Sequence, residues 1–447
     1  MVQAAQLKPT VAIIGGGYAG MAAAITLAQH GVRCVVFEAG KVLGGRARRI
    51  EYLGETIDNG QHILAGAYTE LLRLMRLVGV PDSSLSRVRL RLSMPPDFLL
   101  SAPRTSLLQG SAYLAWTLLT TKGLTFSDKV SAIRFMLALK RAQYKIDEHK
   151  SVATLLAEQK QSQNLIDQLW QPLTISALNT PLATASAQVF ANVLRDSLAS
   201  TRQASDLLLP RVDLTALFPE PAAVWLAQHG GDVRTSARIK QVLVSDNCYQ
   251  LVADAESQYF DGVILAVGPH QLEGIMPGIS CPSFSYEPIV TIYFKFDRAI
   301  RLRETMFGQK NGMAQWFFDR RALSHGENVN SANDETSGLV AAVISASGPH
   351  ELLTQDELAK RVLAELSAFV NDLPTPVWFK VVTEKFATFA CTPHASRPAA
   401  MTCHPGVFLA GDYVSGDYPA TLEGAVRNGI SAANASITRL LSLKSNE

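Results

Sequence analysis

Three glycines near the amino terminus, Gly15, Gly17 and Gly20, have the spacing of a phosphate-binding loop. Gly15 permits a tight turn, Gly17 leaves room for a pyrophosphate beside the backbone, and Gly20 lets a strand and a helix pack closely. Free N–H groups at the start of that helix would face the phosphates. Glu38 follows about 20 residues later, where its carboxylate can accept hydrogen bonds from ribose hydroxyls. These residues predict a dinucleotide site.

Two apolar segments must position these residues. Residues 11–14 are typical of a buried strand that ends at the first glycine, after which a helix begins at Tyr18 and Ala19. Residues 32–37 are typical of a second strand, which ends at Glu38. A strand, a helix and a strand in this order predict a Rossmann-type unit, with Tyr18 and Ala19 beside the cofactor.

A second glycine pair favours FAD over NAD as the dinucleotide. Gly44 and Gly45 are followed directly by Arg46, and a loop of this composition can run beside both the diphosphate and the flavin. The guanidinium of Arg46 would add positive charge next to the phosphates.

A matching segment lies near the carboxyl terminus. An apolar run ends at Gly411 and Asp412, and this predicts a carboxylate at the ribityl or pyrophosphate part of the cofactor. A helix predicted over residues 421–441 would direct its N-terminus at the flavin and stabilise negative charge on the reduced ring. The predicted cofactor-binding residues of this helix are Glu423, Gly424 and Ala425.

These motifs carry a resemblance. GGGYAG (15–20), GGR (44–46), FLAGD (408–412) and LEGAVRNG (422–429) resemble the superfamily of amine oxidases, protoporphyrinogen oxidases and phytoene desaturases, which are FAD proteins. Further motifs are similar to the squalene-associated FAD-dependent desaturase family, the hydroxysqualene dehydroxylases. They are DNGQH (58–62), WQPL (170–173), LNTP (178–181), LLLPRVD (207–213) and DYPAT (417–421).

The resemblance spans residues 10–435 and implies an α/β fold, in which a Rossmann-type FAD-binding domain is interleaved with an α+β substrate domain. We predict that the discontinuous FAD-binding domain comprises residues 1–75, 206–274 and 381–447. The substrate-binding domain is predicted over residues 76–205 and 275–380.

The narrower resemblance implies reductive conversion of hydroxysqualene to squalene, a step of hopanoid and isoprenoid biosynthesis. Ionisation of an allylic C–O bond would release water, and reduced flavin would deliver hydride to the carbon. His62 is the candidate acid, because it follows a turn expected at the flavin and histidine titrates near neutrality. A structural role for His62 beside the flavin stays open. Gly60 and Gln61 of the same turn are predicted to contact the cofactor.

Asp206 and Arg211 flank the Leu-Leu-Leu-Pro run. Either side chain could line the substrate cleft, and either could instead form a salt bridge or anchor a loop.

Composition excludes several classes of function. The 447 residues carry a net charge of +2 with no long block of one sign, which argues against nucleic acid as a partner. Five scattered cysteines without a CxxC pair predict reduced thiols, no disulfide framework and no metal site. The amino terminus lacks the pattern of a signal peptide. We therefore expect a cytoplasmic protein.

Residues 111–120 are strongly apolar, and residues 128–145 are amphipathic and basic. Such a pair of helices suits the surface of a membrane, with lysines toward anionic headgroups. It also suits an ordinary cap that packs on the core. An enzyme that acts on a long-chain isoprenoid needs access to the bilayer, so peripheral binding at the inner face of the cytoplasmic membrane is one expectation.

Other functions stay open. An isoprenoid or carotenoid desaturase would also need FAD and an apolar cleft. An amine oxidase would need two aromatic rings before the flavin, which Tyr413 and Tyr418 could supply. A non-enzymatic escort of prenylated proteins has degraded FAD contacts, and the intact glycine motifs argue against it. No second nucleotide motif is present, so NADPH binds weakly or a separate flavin reductase supplies the electrons.

Overall fold

A five-stranded parallel sheet forms the first layer of the computed structural model, which describes residues 9–103, 108–245, 248–253, 257–279, 281–300, 302–325 and 338–444. Its central strands are apolar and buried, as expected of a sheet covered on both faces. This arrangement confirms the predicted Rossmann-type α/β fold. The spatial order of the strands is Asp232–Arg234, Arg33–Phe37, Thr10–Ile14, Gly262–Leu265 and Val407–Leu409.

The two faces of this sheet are covered differently. Val11 and Ile13 point into a buried cluster with the helices Tyr18–Gln29 and Leu422–Lys444. The second helix is the predicted carboxyl-terminal helix, with slightly shifted ends. A three-stranded antiparallel sheet contributes Val242, Leu251 and Phe260 to the cluster on the other face. Its strands are Gln241–Ser245, Cys248–Val252 and Ser257–Phe260.

A five-stranded antiparallel sheet forms the second layer. Its long central strand, Tyr286–Phe296, alternates between two environments, because successive side chains of a strand point to opposite faces. Ile292 and Phe294 pack with the helix Gln355–Ser367, whereas the hydroxyl of Tyr293 donates to the carbonyl oxygen of Asp58 at 3.0 Å. The strand order is Met306–Gly308, Trp316–Asp319, Gly338–Ser345, Tyr286–Phe296 and Trp378–Phe389.

Residues 110–198 form a helical layer, which contributes many of the buried residues of the largest apolar cluster. Two of its members are five-residue π-helical turns, Ile166–Trp170 and Leu194–Leu198. Among the described residues, no helix is long and apolar enough to span a membrane. The α-helices are Gly110–Thr120, Phe126–Arg141, Val152–Glu158, Gln163–Leu165, Gln171–Leu178 and Ala187–Val193.

Shorter elements connect these layers. The remaining strands are Arg49–Tyr52, Glu55–Asp58, Leu64–Ala65, Leu85–Val88, Arg91–Met94, Phe98–Ser101 and Leu207–Pro210. The remaining α-helices are Thr69–Leu77, Leu214–Leu217, Pro219–Gln228, Leu272–Ile275 and Arg320–His325. Short 3-10 turns are Asp82–Ser84, Gln203–Ser205, Pro269–Gln271 and Pro349–Leu352.

Candidate active site

The first glycine loop is tight at two positions and open at the third. Gly15 has a φ of +112°, and a Cβ there would lie 2.4 Å from the carbonyl oxygen of Ala266. A Cβ on Gly20 would lie 1.9 Å from the carbonyl oxygen of Gly15. At Gly17, which precedes the helix Tyr18–Gln29, a Cβ would have no neighbour nearer than 3.8 Å. The open space lies at a helix N-terminus, so this cradle fits a pyrophosphate.

Glu38 lies beside this loop, at the end of the neighbouring strand. One carboxylate oxygen accepts from the backbone N–H of Gly16 at 2.8 Å, and the other accepts from Gly40 at 2.7 Å. The side chain is half-buried, and an ionised carboxylate has further lone pairs for hydroxyl donors. This position suits recognition of a ribose.

The second glycine pair, Gly44 and Gly45, lies directly beside the first glycine loop; the space along these two loops is called the cofactor groove below. Gly44 pairs with Gly17 in a parallel β-bridge, and its N–H donates to the carbonyl oxygen of Gly16 at 2.9 Å. Gly44 and Gly45 have φ values of +119° and +64°, which favour glycine over other residues. The two loops that the sequence predicted as cofactor-binding are therefore in direct contact.

Arg46 joins the second glycine loop to the carboxyl-terminal segment. Its guanidinium forms a salt bridge with Asp412 and donates at 3.1 Å to the carbonyl oxygens of Phe386 and Ala387. Next to Asp412, the hydroxyl of Tyr413 is buried without a hydrogen-bond partner. Because buried hydroxyls are nearly always paired, this orphaned group indicates a place where a bound polar molecule would complete the site.

The turn 58–62 is fixed to the second glycine loop through Asn59. Its side-chain amide donates to the carbonyl oxygen of Arg46 at 2.6 Å, and its side-chain oxygen accepts from the N–H of Arg48 at 3.0 Å. The N–H of Gln61 donates to Thr291 Oγ1 at 3.3 Å. The turn is therefore held between the glycine loop and the antiparallel sheet.

A buried ion pair lies behind this turn. The carboxylate of Asp58, only 2% exposed, accepts from the N–H of Leu214 at 2.8 Å and lies 3.7 Å from the guanidinium of Arg320. Arg320 also donates to Gln61 Oε1 at 3.1 Å. Burial raises the pKa of Asp58 to about 6, although the charge of Arg320 opposes that rise. Arg320 was not identified from the sequence. The signal that could have identified it is a charged residue directly after the buried strand Trp316–Asp319.

His62 lies at the end of the turn with its imidazole tied to the backbone. Nδ1 is 2.9 Å from the carbonyl oxygen of Gly60, and this contact requires a proton on Nδ1. Burial lowers the pKa of His62, and the positive charge of Arg46 lowers it further. The imidazole is therefore neutral at neutral pH, with Nε2 as an acceptor. This state favours the structural role over the role of proton donor.

Several predicted residues are engaged elsewhere through their side chains. The Tyr18 hydroxyl donates to the carbonyl oxygen of Leu214 at 2.8 Å. The buried carboxylate of Glu423 accepts from the N–H groups of Glu70 and Leu71, at 3.0 and 2.9 Å, at the start of another helix. Gly424 packs so closely that a Cβ would lie 1.8 Å from the carbonyl oxygen of Tyr418. Ala19 and Ala425 contribute only backbone and methyl groups.

The two residues that flank the Leu-Leu-Leu-Pro run have separate environments. Asp206 forms a salt bridge with Arg87 at 3.0 Å, which matches the interpretation as an anchor. The N–H of Arg211 donates to the carbonyl oxygen of Ser84 at 2.9 Å, and its side-chain Nε is buried without a partner.

An apolar recess lies within the helical layer. Trp170 and Leu198, the last residues of the two π-helical turns, both line it, and Leu173 adds another side chain of the WQPL motif. Every lining side chain is apolar, and the lining belongs to the same continuous buried cluster as Tyr413. The lining residues are Leu90, Leu92, Leu100, Leu114, Leu118, Met136, Leu169, Trp170, Leu173 and Leu198.

The LNTP motif attaches this helical layer to the antiparallel sheet. Asn179 has a φ of +46° and ends the helix Gln171–Leu178. Its side chain donates to Thr388 Oγ1 at 2.9 Å and accepts from the N–H of Ala346 at 2.7 Å. The motif therefore positions the recess relative to the second layer.

The sequence profile of the flavin containing amine oxidoreductases matches residues 18–437. The chain belongs to this family. Membership confirms the prediction of a flavoprotein oxidoreductase that uses FAD. Among solved structures, cyclohexylamine oxidase from Brevibacterium oxydans is similar, with a TM-score of 0.65 and 17% identity over 97% of this chain and 99% of that chain. This likeness confirms the fold.

Characterised relatives are similar over almost their whole lengths. The hydroxysqualene dehydroxylase of Zymomonas mobilis is 28% identical over 95% of this chain and 98% of its own length. The hydroxysqualene dehydroxylase of Rhodopseudomonas palustris is 29% identical over 96% of this chain and 98% of its own length. The zeta-carotene desaturase of Synechocystis is more distant, with 21% identity over 95% of this chain and 96% of its own length.

The open space at Gly17 generates a specific prediction. A methyl group there fits the protein itself but would occupy the place proposed for the pyrophosphate, so Gly17→Ala should lower the FAD content of the purified protein. Because Gly17 is the N-cap of the helix Tyr18–Gln29, the unfolding free energy without FAD should fall by no more than about 1 kcal/mol. Gly274→Ala, where a Cβ also meets nothing, is the matched control. A full complement of flavin in G17A would place the pyrophosphate elsewhere.

The raised pKa of Asp58 generates a second prediction. Its pKa is about 6 in the folded protein against an ordinary value of 3.8, so the wild type loses stability as pH rises through this window. Asp58→Asn removes that loss. Between about pH 5 and about pH 7.5, the unfolding free energy of D58N should rise by about 1 kcal/mol relative to wild type. Urea denaturation measures it, with exposed Asp97→Asn as the control, and a constant difference would contradict it.

Proposed function

We propose that this protein is an FAD-dependent hydroxysqualene dehydroxylase, which reduces hydroxysqualene to squalene in hopanoid and isoprenoid biosynthesis. One observation carries the proposal: the chain is 28% and 29% identical to two hydroxysqualene dehydroxylases over 95% and 96% of its length. A small recess lined only by apolar side chains supports it.

The residues proposed to hold FAD lie in or beside the two glycine loops, in the turn 58–62 and in the carboxyl-terminal segment. Glu38 would bind ribose, the loop around Gly17 would bind the pyrophosphate, and Asp412 with Arg46 would lie toward the flavin. The complete set is Gly15, Gly17, Tyr18, Ala19, Gly20, Glu38, Gly44, Gly45, Arg46, Gly60, Gln61, Gly411, Asp412, Glu423, Gly424 and Ala425. Tyr18 and Glu423 would act through packing and helix placement, since their polar atoms are already paired.

The proposed reaction is balanced. Hydroxysqualene, an allylic alcohol, takes up one hydride and one proton and gives squalene and one water. Bound FAD supplies the hydride when reduced, and a separate flavin reductase is the proposed source of its electrons. The C–O bond breaks, a C–H bond forms, and the oxygen leaves as water after protonation.

The protein must exclude nucleophiles from a developing allylic cation. Burial raises the pKa of the Cys391 thiol to about 12 and that of the Cys281 thiol to about 11. Both thiols therefore stay protonated and weakly nucleophilic at neutral pH. The apolar lining of the recess would exclude water, which is another nucleophile, from the hydrocarbon chain of the substrate.

An anaerobic single turnover tests the proposal. We expect dithionite-reduced holoenzyme to reoxidise when hydroxysqualene is added, with one squalene formed per flavin. Flavin that stays reduced would contradict the proposal. Flavin reduction when the oxidised enzyme meets a saturated isoprenoid would indicate the desaturase instead, and reduction by an amine would indicate an amine oxidase. A protein that purifies without flavin and binds none would indicate an escort function.

The same assay resolves the role of His62. Because its pKa is lowered and Nδ1 is bound to the backbone, we expect His62→Gln to retain FAD and to lose less than tenfold in rate, where a lost general acid costs about 10²–10⁴-fold. Asn59→Ala, which frees the same turn without changing the imidazole, controls for disruption of the loop. A loss of more than 100-fold in H62Q alone would restore the acid role.

We further propose that the helices Gly110–Thr120 and Phe126–Arg141 bind the cytoplasmic face of an anionic membrane. Phe126 is 75% exposed and Trp116 is 50% exposed. The segment 108–145 has six basic residues and one acid, Asp128, which is buried as a helix cap. Exposed apolar groups next to unbalanced positive charge suit anionic headgroups.

The inner face of the same helix connects this surface to the substrate site. Leu114 and Leu118 line the apolar recess, while Trp116 and Leu119 on the other side of the helix are exposed. A long isoprenoid that leaves the bilayer here would cross one helix to reach the recess.

Vesicle flotation tests this surface. We expect the wild type to float with phosphatidylglycerol vesicles, and Trp116→Gln combined with Phe126→Gln to reduce the floated fraction at least tenfold. Leu352→Gln, which removes an 88% exposed side chain elsewhere, should float like wild type. If the wild type does not float, or if the double variant floats equally, this surface does not bind membranes.

A further inference from the structure

Two histidines and a glutamate from distant parts of the chain meet at the surface. The potential ligand atoms of Glu148, His149 and His394 all lie within 4.8 Å of one another. The imidazole rings of His149 and His394 have their centroids 3.7 Å apart. Within the described parts of the chain, no ring nitrogen of these histidines and no carboxylate oxygen of Glu148 has a hydrogen-bond or salt-bridge partner. Three good ligands therefore face one another with their lone pairs uncommitted.

Two consecutive residues at the start of the helix Ala187–Val193 hold the backbone segments that carry His149 and His394. The N–H of Ser186 donates to the carbonyl oxygen of Cys391 at 2.7 Å, three residues before His394. The N–H of Ala187 donates to the carbonyl oxygen of Lys150 at 3.0 Å, directly after His149. The two loops therefore keep a set separation, which reduces the entropy lost when a ligand joins them.

We propose that Glu148, His149 and His394 bind one divalent transition metal ion, with Zn²⁺ as the best match. Two imidazoles and one carboxylate are a common set of zinc ligands, and an exposed site leaves a fourth position for water. Tetrahedral coordination at about 2.1 Å places donor atoms about 3.4 Å apart, so side-chain rotations alone can close the cluster. This site is separate from the cofactor groove, and the proposal does not depend on the proposed function.

The ion would join the helical layer to the segment that supports the flavin site. Beyond His394 the same loop reaches Arg397, whose guanidinium donates to the carbonyl oxygens of Val414 and Gly416 at 3.2 and 2.7 Å. An ion that binds the folded protein but not the unfolded chain also stabilises the folded state by mass action. We therefore infer a structural role for the site.

Calorimetric titration of the tag-free full-length holoenzyme with ZnCl₂ tests the proposal. We expect one site per chain in the wild type, with a rise in Tm on binding. His149→Gln and His394→Asn should each weaken binding at least tenfold, and asparagine tolerates the φ of +60° at position 394. Exposed His229→Gln should bind like wild type.

Two results would overturn the site. The first is no saturable binding by wild type at micromolar Zn²⁺. The second is unchanged stoichiometry and affinity in a His149→Gln/His394→Asn double variant, which would assign the ion to other groups such as the exposed thiol of Cys403. Flavin content and circular dichroism of each variant show whether it is folded, so a folding failure is not mistaken for loss of the site.

Discussion

Close approach of backbone to backbone is the constraint on which the rest of the structure depends. Gly20 and Gly429 have no room for a side chain, since a Cβ would lie 1.9 Å from the carbonyl oxygen of Gly15 and 2.1 Å from that of Ala19. These two contacts bring the first helix against its strand and the last helix against the first helix. The carboxyl-terminal segment thereby reaches the amino-terminal loops, and Asp412 can pair with Arg46.

The second constraint is the buried pair of Asp58 and Arg320. Removing two charges from water is costly, and such a pair contributes little net stability, so its value lies in what it positions. Asp58 begins the turn that carries Asn59, Gln61 and His62, and Arg320 follows a strand of the antiparallel sheet. The turn beside the glycine loops is consequently tied to the antiparallel sheet.

The sequence predicted the parts of the site that depend on local chemistry. Spacing alone predicted Gly15, Gly17, Gly20 and Glu38, and the structure brings these residues together within one βαβ unit, where Gly15 has a positive φ and Glu38 accepts from Gly16. The sequence did not identify Arg320, whose role depends on a partner far away in the chain. It also did not distinguish the side chain of Glu423, a helix cap, from a cofactor ligand, because both uses require an acid at a helix start. The uncommitted histidines His149 and His394 come together only in the folded chain.

The helix Gly110–Thr120 lines the apolar recess with Leu114 and Leu118 and exposes Trp116 and Leu119 on its other side. In the proposed function, both sides of this helix would contact apolar chains. A chain of isoprene units loses little when it moves from a bilayer to an apolar protein interior, because neither environment contains water to release. If the proposed function holds, affinity must then come from shape and from contacts at the polar end of the substrate. In the recess, the indole N–H of Trp170 donates to Gln161 Oε1 at 2.9 Å, and the rest of the lining is aliphatic. Under the proposed function, this rigid aromatic side chain would form one wall of the recess, and the surrounding leucines and methionine would adapt to an isoprenoid chain.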